Sequence, residues 1–307
     1  MSVHLLFSHK IRILFSIINH CHIFQLKLQP KNYLKYAIKP KKPPPMKAKY
    51  DLIGKGYNTT RKADPFLLDR LQYHLNPIHK GWYLDIGCGT GNYTSKLHTK
   101  ETKFIGVDPS EKMLTEAQKN HPNIIWKKGT AEDIPIEDRS VEGVVGTLTL
   151  HHWNDLEKGF AELFRVMKNY TNMVFFTATP LQMKGYWLHH YFPKMMEASM
   201  QQMPSLEKIT NAMNAAGFTD IFTERYFVQP DLKDHFLYIG KHKPTMYLDA
   251  AVRNGISSFS HLAHQDEVQQ GLAQLENDVA SGEIQNVIKK YENRNGDYLF
   301  LLSQKER

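Results

Sequence analysis

Tyr83-Leu84-Asp85-Ile86-Gly87-Cys88-Gly89-Thr90-Gly91 is the stretch on which the reading of this chain turns. An apolar run carries Asp85 into three glycines at alternate positions, and a helical pattern comes next over 92–99. A strand that turns sharply into a helix suits a nucleotide-like ligand, because glycines let backbone approach closely and a helix start offers free N–H groups. The dinucleotide fingerprint has two residues between its second and third glycines and cradles a pyrophosphate. Here only Thr90 separates them, and a carboxylate, Asp85, precedes the first. That carboxylate would repel a pyrophosphate and would suit a cation. An ordinary glycine-rich turn is the plain alternative, and the strands downstream of it decide between the two.

A second strand-like run, 103–107, ends in Asp108, which lies 17 residues beyond Gly91. A carboxylate at that strand end is placed to accept both hydroxyls of a ribose. The third strand is read at 123–127, followed by Gly129, Thr130, Ala131, Glu132 and Asp133, whose polar groups and backbone can bond the edge of an adenine. The fourth is read at 140–147, running into Leu150, His151, His152 and Trp153. In order and spacing this series resembles the class I S-adenosylmethionine methyltransferases, specifically the type 11 group that includes the ubiquinone and menaquinone methylases.

The resemblance covers residues 50 to 180 and the last strand. It implies an α/β fold, a doubly wound, mostly parallel seven-stranded sheet of Rossmann-like form, and S-adenosylmethionine as cofactor. It also implies that Asp85, Gly87, Cys88, Gly89 and Gly91 hold the methionine part and Asp108, beside Pro109, the ribose. Ala131 with Glu132 would hold the adenine, and Thr147 and Leu148 would border the cofactor at the end of the fourth strand. Two departures stand out: Thr130 occupies a position where the group often has Asp, and Glu142 one where it usually has Asp.

The net charge of +8 invites a nucleic-acid partner until it is located. Residues 1–45 hold eight Lys or Arg and no acid, which leaves 31 basic residues against 31 acidic ones in the remainder. A neutral body lacks the phosphate-neutralising surface that dominates nucleic-acid affinity. Two cysteines, Cys21 and Cys88, are too few for a disulfide framework, which points to a reducing compartment, the cytoplasm in the first instance. Residues 1–45 are basic and apolar in short bursts, below the roughly 20 apolar residues that would span a bilayer. They read as an organelle transit peptide, a surface anchor, or a segment outside the mature enzyme, with Met46 as the initiator. The methyltransferase domain is then 46–307.

Past Pro65 the spacing of Phe66, Leu67, Leu71 and Leu75 predicts a helix. In the resembled group such a segment folds over the cofactor as a lid, which brings in Tyr57 as an aromatic face for a sulfonium and Arg61 as a guanidinium for a carboxylate. Ser110 caps a helix over 111–120, where Met113 is either an adenine contact or core. A helix over 155–168 leads, through a turn made by Asn169 and Asn172, to a fifth strand at 173–177. Residues 181–204, rich in Met, Tyr, Trp and His, are read as a substrate cap. A helix at 205–216, closed by Gly217, precedes a sixth strand at 219–229. A helical insertion, 231–296, carries stripes at Val268, Leu272, Leu275, Val279 and at Ile284, Val287, Ile288, Tyr291. An antiparallel last strand is read at 297–303.

A sulfonium methyl is already activated, so such a protein's tasks are to align the acceptor and exclude water. A base is needed only for an acceptor with a proton to lose; His151 and His152 then qualify by pKa, and the other reading of the pair is structural. Two cysteines cannot supply a thiolate cluster for arsenite. The fourth-strand sequence Leu150-His151-His152-Trp153 is unlike the Asn/Asp-Pro-Pro run of DNA amino-methylases, and no carboxylate trio for a metal is recognisable. The expectation is therefore methyl transfer to oxygen, nitrogen or carbon of a small, partly apolar molecule without a metal. Its alternatives are a tRNA or protein methyltransferase, a non-catalytic cofactor-binding assembly factor and, by fold alone, a nicotinamide oxidoreductase.

Overall fold

A computed structural model describes residues 60–307, which fall within one unit, Lys47–Arg307. Residues 1–59 lie outside the described residues, and with them the basic extension, Met46 and Tyr57.

Seven strands form one sheet: β1 (Gly81–Ile86), β2 (Thr102–Asp108), β3 (Ile125–Lys128), β4 (Val141–Thr147), β5 (Met167–Thr177), β6 (Ile221–Tyr226) and β7 (Tyr298–Lys305). Their order is β3-β2-β1-β4-β5-β7-β6, parallel from β3 to β5, with β7 antiparallel to both its neighbours. The helices are α1 (Pro65–Leu75), α2 (Thr94–Leu97), α3 (Glu111–Asn120), α4 (Leu156–Val166), α5 (Pro180–Met183), α6 (Leu188–Tyr191), α7 (Pro193–Gln202), α8 (Leu206–Ala216), α9 (Ala250–Asn254), α10 (Ser257–His261), α11 (Gln265–Ser281) and α12 (Ile284–Lys290). Side chains of Asp64, Ser110, Asp155 and Ser205 each accept an N–H at the start of α1, α3, α4 and α8, a contact that stabilises a helix end by about 1 kcal/mol.

Because successive strand residues face opposite ways, the sheet feeds two cores. Leu84, Val144 and Phe175 pack with Phe160 and Leu163 of α4 and Ile209 and Met213 of α8. Tyr83, Val145 and Phe176 pack on the other face with Leu67, Leu71 and Leu75 of α1. Central strands covered on both faces explain why β1 and β4 read as nearly continuous apolar runs. The two acidic strand tips, Asp85 and Asp108, therefore emerge side by side from β1 and β2 at the carboxyl edge of the sheet.

Several sequence expectations need correction. Phe66, placed on the buried stripe of α1, is 45% exposed. The fifth strand starts at Met167 with no separating turn, because residues 168–171 bulge where Val141 pairs with Met167 and Gly143 with Asn172. Tyr170 takes the left-handed conformation (φ 61°) expected of Asn169 and Asn172, whereas the Asn172 amide donates to Leu75 O at 3.2 Å. The sixth strand is shorter than 219–229, and the last runs two residues past 303.

The segment read as a substrate cap folds as α5 to α7 and turns several of its large side chains inward, while Leu181 is 62% exposed. Trp187, Tyr191, Phe192, Met195 and Met196 are at most 3% exposed and share one cluster with Phe236, Tyr247 and Leu275 of the insertion. The insertion is helical as expected: α11 carries the Leu275 stripe and α12 buries Ile284 and Val287. Among the described residues no helix is long and apolar enough to cross a membrane.

Candidate active site

The bend after β1 is shaped by what each glycine must avoid. Gly87 N and Cys88 N both donate to Val107 O, at 2.8 and 3.2 Å, which folds the bend back against β2. Gly87, Gly89 and Gly91 all have left-handed φ, of 73°, 55° and 77°, where L side chains are strained. A Cβ on Gly87 would lie 2.1 Å from Thr149 Oγ1, and one on Gly91 2.3 Å from the Trp126 indole. A Cβ on Gly89 would meet nothing within 4 Å. Two glycines therefore serve packing, and Gly89 presents bare backbone to open space. Trp126, on β3, fills the hollow beneath the bend and also excludes a side chain at Gly106.

Asp85 is 2% exposed, and Thr94 Oγ1 donates to its Oδ2 at 2.6 Å. Burial pushes its carboxyl up to about 7; the Thr94 bond opposes this and the nearby charge of Asp108 adds to it. Asp108 accepts Gly89 N at 2.9 Å through Oδ2 and Ser110 N at 2.8 Å through Oδ1, so it fixes the bend to the start of α3. Burial, then the charges of Asp108 and Asp85, raise the Cys88 thiol well above its ordinary value, which makes it an inert neutral wall. Two carboxylates close enough to feel each other, in a dry bend, favour a cationic ligand.

The cleft above the bend is lined by Arg61, Asp85, Gly87, Cys88, Gly89 and Thr147, all expected from sequence. It is also lined by Thr90, Asn92, Tyr93 and Asp234, which sequence reasoning missed. Thr90 and Thr147 each bury a hydroxyl that has no hydrogen-bond partner among the described residues. Such atoms cost free energy unless a ligand satisfies them. Thr90 had a readable signal, since it stands inside the glycine bend. Asp234 had none: it arrives from beyond β6 and binds Arg61 through Oδ1–Nε at 2.5 Å and Oδ2–Nη2 at 3.1 Å.

The remaining expected residues among those described do not line this cleft. Gly91 closes the bend by donating its N–H to Cys88 O at 3.0 Å. Pro109 is exposed beside Asp108, and Met113 and Ala131 are buried, each at 5% exposure. Glu132, implied at the adenine, uses Oε1 to accept Asn154 N and Asp155 N at 2.6 and 3.1 Å, so the geometry gives it the task of anchoring its loop to α4. Leu148 has φ 53° and donates its N–H to Phe176 O. His151 and His152 form a half-buried 3-10 turn after β4, with ring centroids 3.8 Å apart. Among the described residues no group of His, Cys, Asp and Glu could hold a metal ion.

Residues 84–175, β1 through most of β5, match the family model described as a methyltransferase domain. A solved putative methyltransferase from an antibiotic biosynthesis pathway of Anabaena variabilis is 31% identical, with a TM-score of 0.71, over 80% of this chain and 99% of that one. A demethylmenaquinone methyltransferase of Chlorobaculum parvum is 28% identical over 155 residues, 44% of this chain and 64% of that protein. An uncharacterised methyltransferase of Mycobacterium bovis is 35% identical over 85 residues, 28% of this chain and 35% of that protein. The chain thus spans about a third of the length of the first curated relatives it matches.

Sheet order, glycine bend and paired acidic strand tips together define the class I methyltransferase architecture. The chain belongs to the S-adenosylmethionine-dependent methyltransferases of the type 11 family. The site fits that cofactor: Gly89 offers backbone to open space, Thr90 and Thr147 offer unsatisfied hydroxyls, and Asp85 and Asp108 offer negative charge.

Proposed function

We propose that this chain catalyses transfer of a methyl group from S-adenosylmethionine to oxygen, nitrogen or carbon of a small, partly apolar molecule. When bound, the cofactor supplies a methyl carbon activated by its sulfonium charge. Asp85, the glycine bend, Thr90 and Arg61 would hold its amino-acid end, and Asp108 its ribose. The observation that carries the reading is the set of buried, unsatisfied hydroxyls and raised carboxyl around the open side of Gly89.

The protein's own work is positioning and drying. The Trp126 ring packs against Gly91 and so covers one side of the bend. For an acceptor that must lose a proton, we assign the accepting role to His151 or His152, supported by their position in the turn after β4 and by imidazole's affinity for protons near neutrality. A small acceptor is supported by the neutral charge of residues 46–307. It is also supported by relatives whose descriptions name demethylmenaquinone and antibiotic biosynthesis. The same charge balance weighs against RNA, and the cysteine content supports a cytoplasmic location.

The test is incubation with S-adenosylmethionine and a fractionated metabolite extract, followed by mass spectrometry. The expected outcome is release of S-adenosylhomocysteine in proportion to a product that has gained one methyl group. Tight binding with no turnover on any acceptor would replace the reading with that of a non-catalytic binding protein.

A further inference from the structure

We infer that Asp234 is a positioning residue for the donor. Contributed by the segment that follows β6, it holds the Arg61 guanidinium across the glycine bend, so that Arg61 meets the carboxylate of the donor's amino-acid end. The inference rests on the S-adenosylmethionine reading of the cleft and goes beyond it, in making the insertion part of the donor site.

The geometry that carries it is a closed set of contacts. Asp234 is 1% exposed and lines the same cleft as Arg61, Thr90 and Asp85. Both its oxygens face the Arg61 guanidinium, at 2.5 Å to Nε and 3.1 Å to Nη2. Tyr93, two residues past the bend, donates its hydroxyl to Asp234 Oδ2 at 3.1 Å and accepts Asp64 N at 3.3 Å. The backbone of Arg61 is fixed as well, since the Asn92 amide donates to Arg61 O at 2.8 Å. Two further bonds staple residues 60–64 to residues 233–235: His235 N to Thr60 O at 3.1 Å and Lys233 N to Asp64 Oδ2 at 2.9 Å.

A guanidinium is planar, with donors on fixed edges. Once Asp234 takes the Nε and Nη2 edge, the plane and the direction of the opposite edge are set. A buried charge pair of this kind is weak evidence for stability, because desolvation offsets much of the attraction. Its position on the cleft wall, between the bend and the insertion, fits a role in orienting Arg61. Only the amino-acid end of the donor should sense it.

That selectivity supplies the test. Affinities for S-adenosylmethionine and for 5′-methylthioadenosine, which keeps the adenosine and thioether but lacks the amino-acid group, are measured by calorimetry on wild type, Asp234→Asn, Arg61→Ala and the double variant. Thermal melts check folding. Asp234→Asn should weaken S-adenosylmethionine about ten-fold or more, the scale of a charge-assisted hydrogen bond, and leave methylthioadenosine within about two-fold. The double variant should be no weaker than Arg61→Ala, because Asp234 acts through Arg61. Tyr93→Phe, which removes one hydroxyl and keeps the ring, should show the same selectivity at about two- to five-fold, and serves if Asp234→Asn does not fold. Equal weakening of both compounds, or additive losses in the double variant, would overturn the assignment. A wild type that binds neither compound would overturn the donor reading itself.

Discussion

The aromatic cluster on one face of the sheet and the bend at its carboxyl edge treat polar atoms differently. On the side of α5 to α7 and the insertion, Tyr186, Trp187 and Tyr247 are packed with their polar atoms bonded, while Tyr226 OH, His189 Nε2 and His235 Nδ1 are buried without a partner among the described residues. Tyr186 OH donates to Asp297 O, Trp187 Nε1 to Lys241 O at 3.2 Å and Tyr247 OH to Leu237 O at 2.7 Å, while Tyr186 and Tyr238 stack at 3.8 Å. At the bend after β1, hydroxyls of Thr90 and Thr147 lack partners, three glycines hold left-handed backbone, and a buried carboxyl titrates near neutrality. The aromatic-rich segment read in sequence as a substrate cap packs Trp187, Tyr191 and Phe192 into a hydrophobic cluster. The lesson is that orphaned hydroxyls beside left-handed glycines and a raised carboxyl, taken together, mark the bend as a ligand site more sharply than aromatic content does.

The strongest way to break that contrast is Trp187→Ala. If Trp187 is core, the change should destabilise the chain by about 3–5 kcal/mol in urea denaturation, as deletion of a buried aromatic side chain does. A loss below about 1.5 kcal/mol together with altered acceptor selectivity would return the segment to the role of substrate wall.

Asp85 provides the next largest effect, and its sign depends on pH. Its carboxyl is raised to about 7 in the folded chain, whereas an unfolded aspartate titrates near pH 4. Between those values the folded state binds the extra proton, so stability is lost as pH rises through the window and stays lost above 7. Asp85→Asn should therefore stabilise the ligand-free protein by roughly 2–4 kcal/mol at pH 8, with the gain vanishing near pH 4. Donor binding should fall in the same variant, because a cation favours the ionised carboxylate. In wild type, binding below pH 7 should release a proton, detectable by calorimetry in buffers of different ionisation heat. Melting curves that show the same difference at both pH values would mean that the Asp85 carboxyl is not raised in the folded chain, and unchanged donor affinity in the variant would separate Asp85 from the donor.

Asp108→Ala should weaken S-adenosylmethionine by roughly 1.5–3 kcal/mol, the worth of a charged hydrogen-bonding partner. It should also loosen the bend, because Gly89 N and Ser110 N lose their acceptor. Unchanged affinity in a folded variant would remove Asp108 from the ribose.

What was legible in the chain was what local spacing encodes. The alternation of strand and helix, the bend at Gly87 to Gly91 and the acid at the tip of β2 are periodic or short-range features, and each stands where the pattern put it. The site's remaining walls are made by distant pairs. Trp126 reaches the bend through the neighbouring position of β3 and β2, and Asp234 reaches Arg61 across 173 residues of chain. No spacing rule links such partners. Tyr170 shows the same limit at smaller scale: turn propensity favoured Asn169 and Asn172, but the pairing of β5 with β4 and β7 decided which residue bulges.

The finest test uses three threonines, two whose buried hydroxyls lack a partner among the described residues and one whose hydroxyl has one. Thr147 and Thr90 bury hydroxyls with none, so Thr147→Val or Thr90→Val removes a desolvated polar atom at nearly constant shape. Either change should leave ligand-free stability unchanged or raise it by about 1 kcal/mol and reduce donor affinity by about 0.5–1.5 kcal/mol. Thr94 is fully buried and donates to Asp85 at 2.6 Å, so Thr94→Val should lower stability and push the Asp85 carboxyl higher still. Opposite signs in ligand-free melts would tie the contrast between satisfied and unsatisfied groups to ligand binding. Matching signs would mean that burial alone governs these positions and that the orphaned hydroxyls do not report the donor.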